Sequence, residues 1–293
     1  MAQKSDIYQT VTDQIIAAIE TGLKGKVELP WHGVSTLPQN ARTGNSYHGV
    51  NVPLLWVHQL AQGYKSAVWA TYRQWQDMGA QVKKGEKGVQ VVFWKSVEIE
   101  PEDDHQEAET RMFARYSVVF NAGQVDGYEP KTDFVPSDIK SIGAADALIE
   151  ATGADIRHED LRAYYHVAGD YINLPCPEFF KETKGSSATE NYYSVLFHEL
   201  THWSGAKHRL DRLHSSKFGD TDYAFEELVA ELGSTYLCAS TGIESVSRDD
   251  HALYIQNWLE ALRSDKKFIF AASSQAQKAV DYLFSFMEQV EAA

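Results

Sequence analysis

The chain has 293 residues, 43% hydrophobic and 12% aromatic, a composition that excludes wholesale disorder and a length that fits two domains better than one. Two cysteines, Cys176 and Cys238, exclude a disulfide scaffold and an all-cysteine metal site. No apolar run nears the ~18–20 residues that cross a bilayer. The first residues also lack the basic-then-apolar layout of a signal peptide, so a reducing cytoplasm is the expected compartment and no membrane is expected as a partner. The net charge of −14 divides into +4 over residues 1–96, −7 over 97–135 and −11 over 136–293. An acidic whole argues against coating duplex DNA by bulk charge, yet leaves room for a local basic surface in the first third.

Ile7, Val11, Ile15, Ile16 and Ile19 recur at helical spacing, and Gly22, Gly25 and Pro30 end that helix. Residues 31–51 read as a loop rich in turn formers. Helices are expected over 52–62, stopped by Gly63, and over 71–78, stopped by Gly79. KKGEKG is a turn, VQVVFWKSVEI a strand by its β-branched and aromatic content, PEDDHQEAET an acidic loop, and RMFARYSVVFNAGQVDG a second strand. The two strands make a long hairpin with an acidic tip. The stretch 129–138 holds two prolines and no periodicity, and marks the expected boundary between domains at 1–130 and 138–293. Ser137 or Asp138 can cap the next helix, which runs to about Thr152. YYHVAGDYINLP reads as two short strands, and helices follow over 190–206, 222–240, 250–263 and 274–291. The fold class is α+β, with a mixed first half carrying the hairpin and a mostly helical second half with a small sheet.

The sequence His198-Glu199-Leu200-Thr201-His202 carries the strongest chemical signal. On a helix, His198 and His202 lie one turn apart on one face and reach one Zn²⁺ together. Glu199 is placed to take a proton from a water that such a metal polarises. The apolar run YYSVLF just before sets the motif in a buried helix. A catalytic zinc site needs a third protein ligand. His208 completes the spacing HExxHxxGxxH, but that class also needs a methionine turn, and Met287 lies within an amphipathic helix. Glu227, in Glu226-Glu227-Leu228-Val229-Ala230-Glu231, would complete a His₂Glu site on a downstream helix and is preferred, with Glu226 and Glu231 as further options. Glu231, one turn on, can accept an N–H from a ligand histidine. Tyr254 or His251 are options for an oxyanion donor. DYINLP could be the edge strand on which a peptide lies, or a plain core strand.

The first third interleaves rings with cationic and amide groups: Trp31, Arg42, Tyr47, Asn51, Trp69, Tyr72, Arg73, Trp75, Lys83, Lys84, Lys87, Trp94 and Lys95. Single-stranded nucleic acid is held by base stacking on such rings with cations along the phosphates. The competing reading is that most of the rings are core.

Both halves resemble one family. TGNSYHGVN and WATYRQWQDMGAQVKKGEKGVQVVFW are similar to the N-terminal domain of ArdC-type antirestriction proteins, a domain shared with TraC-type primases of conjugative plasmids. FHELTHWSGAKHRLDR followed by YAFEELVAELGSTYLC is similar to that family's zincin-like domain. The resemblance covers about residues 5–290. It implies an N-terminal domain that binds single-stranded DNA, a C-terminal metallopeptidase-like domain with a divalent metal (Zn²⁺, or another such as Mn²⁺), and protection of incoming plasmid DNA during conjugation. It places His198, Glu199, His202 and Glu227 in the metal site; the position of His208 is not a fixed histidine in the family. Two other functions fit the same residues. One is a cytoplasmic zinc protease whose first domain recognises a protein substrate. The other is a non-enzymatic decoy whose acidic surface mimics DNA.

Overall fold

The computed structural model describes residues 6–25, 29, 36–99, 109–128, 138–183, 186–213, 221–244 and 251–291. In chain order the elements are α1 (Ile7–Gly25), β1 (Gln39–Asn40), α2 (Asn51–Gln62), β2 (Val68–Thr71), α3 (Tyr72–Asp77), β3 (Gln81–Val82), β4 (Val89–Ile99), β5 (Glu109–Asn121), β6 (Val125–Asp126), α4 (Asp138–Thr152), β7 (Asp155–Arg157), β8 (Tyr164–His166), β9 (Tyr171–Asn173), α5 (Ala188–Ser204), α6 (Thr221–Thr241), α7 (His251–Ser264) and α8 (Phe268–Glu291). The α+β class holds, with the helices concentrated in the second half. Among the described residues no helix is long and apolar enough to cross a membrane.

Packing divides the chain into two units that do not follow sequence order. One comprises residues 1–37, 48–57 and 134–293; the other comprises 38–47 and 58–133. The linear boundary read from the prolines falls mostly on 129–137, outside the described residues, as do the acidic hairpin tip and Ser137. The first helix joins the C-terminal region because its apolar stripe needs cover. Ile7, Val11, Ile15 and Ile19 are buried, and Tyr8 packs its ring on Phe270 at 4.7 Å. Thr12 Oγ1 donates to the Lys266 carbonyl at 2.8 Å, and ion pairs join Glu20 to Arg263 and Asp6 to Lys266.

In the smaller unit, a four-stranded sheet runs β1-β2-β5-β4 and a two-stranded ladder joins β3 to β6. The hairpin pairs Val89 with Val119 through to Ile99 with Glu109 without a break. Thr71 caps α3 through a reciprocal box with Gln74. That cap turns Trp75 inward, where its Nε1–H donates to the Phe120 carbonyl at 3.0 Å, among Ala70, Ala80, Val82, Ala122 and Val125.

In the larger unit, a small sheet runs β7-β9-β8 beside α5, and α5, α6 and α8 pack on one another. The segment DYINLP therefore forms the central strand, and β8 is an edge; a peptide cannot add to β9, whose two sides are already paired. α5 and α6 cross closely because residue 233 is glycine: a Cβ there would meet Thr201 Cγ2 at 2.6 Å and Oγ1 at 2.7 Å. Ser234 Oγ donates to the Ser194 carbonyl at 2.7 Å across the same crossing. This contact brings the acids of α6 over the histidines of α5. Sequence periodicity missed β1, β2, β3 and β7, all of two to four residues, ran β6 together with β5 across the turn at Ala122–Gln124, and began the last helix later than its start at Phe268.

Candidate metal centre

α5 is a helix with defined ends. Ser187 caps it in a reciprocal box with Glu190, and Gly205 closes it. His198 and Glu199 are buried along it, His202 nearly so. Glu227 comes from α6 and faces the pair: one carboxylate oxygen is 3.6 Å from His198 Nε2 and the other 3.7 Å from His202 Nε2. The two Nε2 atoms are 3.2 Å apart. Ligands about 2.1 Å from a tetrahedral metal stand about 3.4 Å from one another, so these three separations are those of a divalent ion's ligand shell. Among the described residues, His198, His202 and Glu227 are the one cluster of three or more His, Cys, Asp or Glu side chains arranged to hold a metal.

The surroundings order the ligands. His202 Nδ1 donates to Glu226 Oε1 at 3.0 Å, since a carboxylate can only accept. Its Nε2 is thereby turned toward the cluster. Glu226 is held by Arg212, whose Nε and Nη2 reach its two oxygens at 2.8 and 2.9 Å. Glu231 Oε2 lies 4.0 Å from His198 Nδ1, in ion-pair range. Burial by itself would lower the pKa of His202, but the bond to Glu226 and the charges of Glu227, Glu226 and Glu199 outweigh it and lift the group to about 9. Burial would raise Glu227, but the bond from His198 and the charges of both histidines hold it down at about 2. Glu226 is likewise held below the ordinary carboxylate value against its burial, by His202 and Arg212. Both carboxylates are thus kept ionised beside the histidines.

Residues 5–120 match the family described as the N-terminal domain of anti-restriction factor ArdC, and residues 143–275 the family described as zincin-like metallopeptidase. The metal-free crystal structure of antirestriction ArdC from plasmid R388 superposes with a TM-score of 0.78 at 42% identity, covering 97% of this chain and 98% of that one. The chain belongs to the ArdC antirestriction family. A Mn(II)-bound structure of the same R388 protein aligns at a TM-score of 0.74 and 41% identity, over 96% of this chain and 98% of that one. The uncharacterised protein y4eC of Sinorhizobium fredii (strain NBRC 101917 / NGR234) is 44% identical over 95% of this chain and 92% of its own length. A DNA primase TraC of Escherichia coli is 33% identical over 98% of this chain, which spans only 28% of that larger protein.

Within this ArdC-family chain His208 stands elsewhere. Its side chain is 62% exposed, and its Nε2 lies 3.2 Å from Asp170 Oδ2. Asp170 is gripped by Arg209 through two 2.8 Å bonds and accepts from the Tyr165 hydroxyl at 2.8 Å. Arg209 also stacks 3.5 Å over the Trp203 ring. This clamp ties the β8–β9 turn to the end of α5. The Arg209 hydrogen bonds hold the Asp170 carboxyl below its ordinary 3.8. Its stabilising contribution is therefore fully present above that value and is lost as pH falls through the lowered one. Acid titration of thermal stability should show a steeper low-pH loss in the parent than in Asp170→Asn; equal slopes would show that the clamp adds nothing.

The aromatic and basic set of the first third separates by exposure. Tyr47, Asn51, Trp69 and Trp75 are buried. Arg42, Tyr72, Arg73, Lys83, Lys84, Lys87 and Trp94 are exposed. Arg42 pairs with Asp77 at 2.5 Å. Trp31, the side chain of Lys95, and the side chains of Tyr254 and His251 lie outside the described residues. Sequence reading did not name Tyr116 or Val118. They stand on the face of β5 that opposes Val92 and Gln90, and Trp94 shares that face. Alternation along the strand was the available signal. It also missed Arg212, for which a loop arginine offers none.

Proposed function

We propose that the chain is an antirestriction protein that binds single-stranded DNA on the open face of its hairpin and carries a metal-dependent peptidase-type site, acting in the cytoplasm on plasmid DNA that arrives by conjugation. The observation that carries the DNA half is one exposed stripe: Trp94 (47% exposed), Tyr116 (55%) and Val118 (46%) on a single sheet face. Tyr72 (43%) is set near it through Phe120, whose ring centroid lies 6.4 Å away. The KKGEKG turn lies against the same face, since a Cβ on Gly88 would meet Val118 Cγ1 at 2.4 Å. Gln124 Nε2 pins that turn by donating to the Lys87 carbonyl and Glu86, both at 2.9 Å. Rings for bases and cations for phosphates are what a sequence-tolerant single-strand site needs.

His198, His202 and Glu227 would hold the metal, which when bound supplies Lewis-acid polarisation of a carbonyl and of a water. The chain's own residues do the rest. Glu199, a buried carboxylate on the same helix, accepts the proton from the attacking water and passes it to the leaving amine. Glu226 keeps the proton of His202 on Nδ1.

Fluorescence anisotropy of a labelled single-stranded oligonucleotide with the full chain tests the DNA half. Binding should be tight at low salt and weaken with a log–log slope near −0.7 per phosphate contacted. No binding at micromolar protein would remove it and favour the DNA-mimic reading of the −14 charge. Conjugation into a restricting host with Glu199→Gln tests the other half. Lost protection by a folded, metal-loaded variant supports a proteolytic step; full protection assigns the metal a scaffold role.

A further inference from the structure

We propose that Arg212 is a positioning residue for the metal, acting through Glu226 on His202, and that Gly205 is glycine to admit its guanidinium. This inference rests on the metal reading above. Arg212 follows α5 in a loop that doubles back. Asp211 adopts φ 48, and the Arg212 N–H donates to the Gly205 carbonyl at 2.9 Å. The side chain is nearly fully buried. Its Nε and Nη2 take both oxygens of Glu226, and Nη2 also donates to the Thr201 carbonyl at 2.6 Å. Thr201 precedes His202 on α5, and its carbonyl, in the last turn where backbone partners run out, accepts from both the Ser204 hydroxyl at 2.6 Å and this guanidinium. One planar guanidinium therefore fixes the backbone beside the histidine and the carboxylate that orients the imidazole.

The fork geometry matters. A lysine carries the charge but presents no planar pair of N–H groups to a carboxylate. Space for the fork exists only because residue 205 has no side chain. A Cβ there would lie 2.8 Å from Arg212 Nη2 and 3.0 Å from Cζ. The Gly205 backbone (φ −80, ψ −2) suits alanine; an alanine Cβ would displace the guanidinium and also sit 3.1 Å from the His202 carbonyl. A buried arginine that only neutralised Glu226 would need neither the carbonyl bond nor the link onward to His202.

The test is metal affinity of the full chain, by Mn²⁺ and Zn²⁺ titration, together with the melting temperature of the metal-free protein. Glu226→Gln and Arg212→Met should each weaken binding about 10- to 100-fold. Arg212→Met added to Glu226→Gln should weaken it little more, because both act along one line. Arg212→Lys should recover only part of the loss. Gly205→Ala should weaken binding in the same direction with all charges kept, and it supplies the result if Arg212→Met does not fold. Affinity within twofold of the parent in Gly205→Ala and Arg212→Met, with only the metal-free melting temperature lowered, would overturn the proposal while leaving the metal site standing. A parent that binds neither ion would overturn the metal reading and this inference together.

Discussion

Glu227→Ala should abolish metal retention, while His208→Ala should leave it intact. The parent, purified without chelators, is expected to hold about one divalent ion per chain; Glu227→Ala should hold none after dialysis. The loss should exceed the about 10- to 100-fold that removal of an outer partner costs, because a carboxylate that spans both histidines at 3.6 and 3.7 Å leaves two imidazoles facing each other with no anion between them. Stability gives an independent readout. An ion present at about 100 times its Kd adds about 2.7 kcal/mol to the folded state. The parent's melting temperature should therefore rise with added Mn²⁺ or Zn²⁺, and that of Glu227→Ala should not. His208→Ala removes an exposed side chain paired with Asp170 and should behave as the parent does. Metal kept in Glu227→Ala but lost in His208→Ala would reverse the assignment.

The parts of this centre differ in how far a sequence can reveal them. His198 and His202 were legible because a helix turns a spacing of four into a shared face. Glu227 was legible only as the preferred option among neighbours. Glu226 and Glu227 are adjacent and identical in type, and about 100° of helical rotation sends one to the Nε2 atoms and the other to His202 Nδ1. Which is which depends on the rotation of α6 against α5, set by the Gly233–Thr201 contact. Arg212 was not legible, since a loop arginine reads as solvated until a left-handed residue folds the loop back. Among the fold's elements, long periodic helices and the unbroken hairpin stood out, whereas strands of two to four residues such as β2 are too short for alternation to register. The placement of α1 with the C-terminal region was also hidden. Periodicity shows that a stripe must be covered, and only tertiary packing shows by what.

The same limit governs the tryptophans, and a pair of substitutions separates their roles. Trp75→Ala should destabilise the fold by about 3–5 kcal/mol, the range for a large aromatic removed from a core. Its ring is fully buried under α3, and its N–H bond to the Phe120 carbonyl is lost with it. Trp94→Ala should leave the melting temperature nearly unchanged, since its ring is half exposed on the open hairpin face. Its cost should fall instead on single-stranded DNA. Losing one base–ring stack weakens binding by about 1–3 kcal/mol, or about 5- to 150-fold, with Tyr116→Ala similar. Lys84→Ala together with Lys87→Ala should weaken binding and also flatten its salt dependence, because two phosphate contacts go. Trp94→Ala should keep the parent's salt slope, because a stack releases no counterions. Thermal melts paired with anisotropy at several salt concentrations measure both quantities on each variant. Unchanged DNA affinity in folded Trp94→Ala, Tyr116→Ala and the lysine double variant would remove this face as the DNA site. That result would favour the reading in which this face selects a protein substrate.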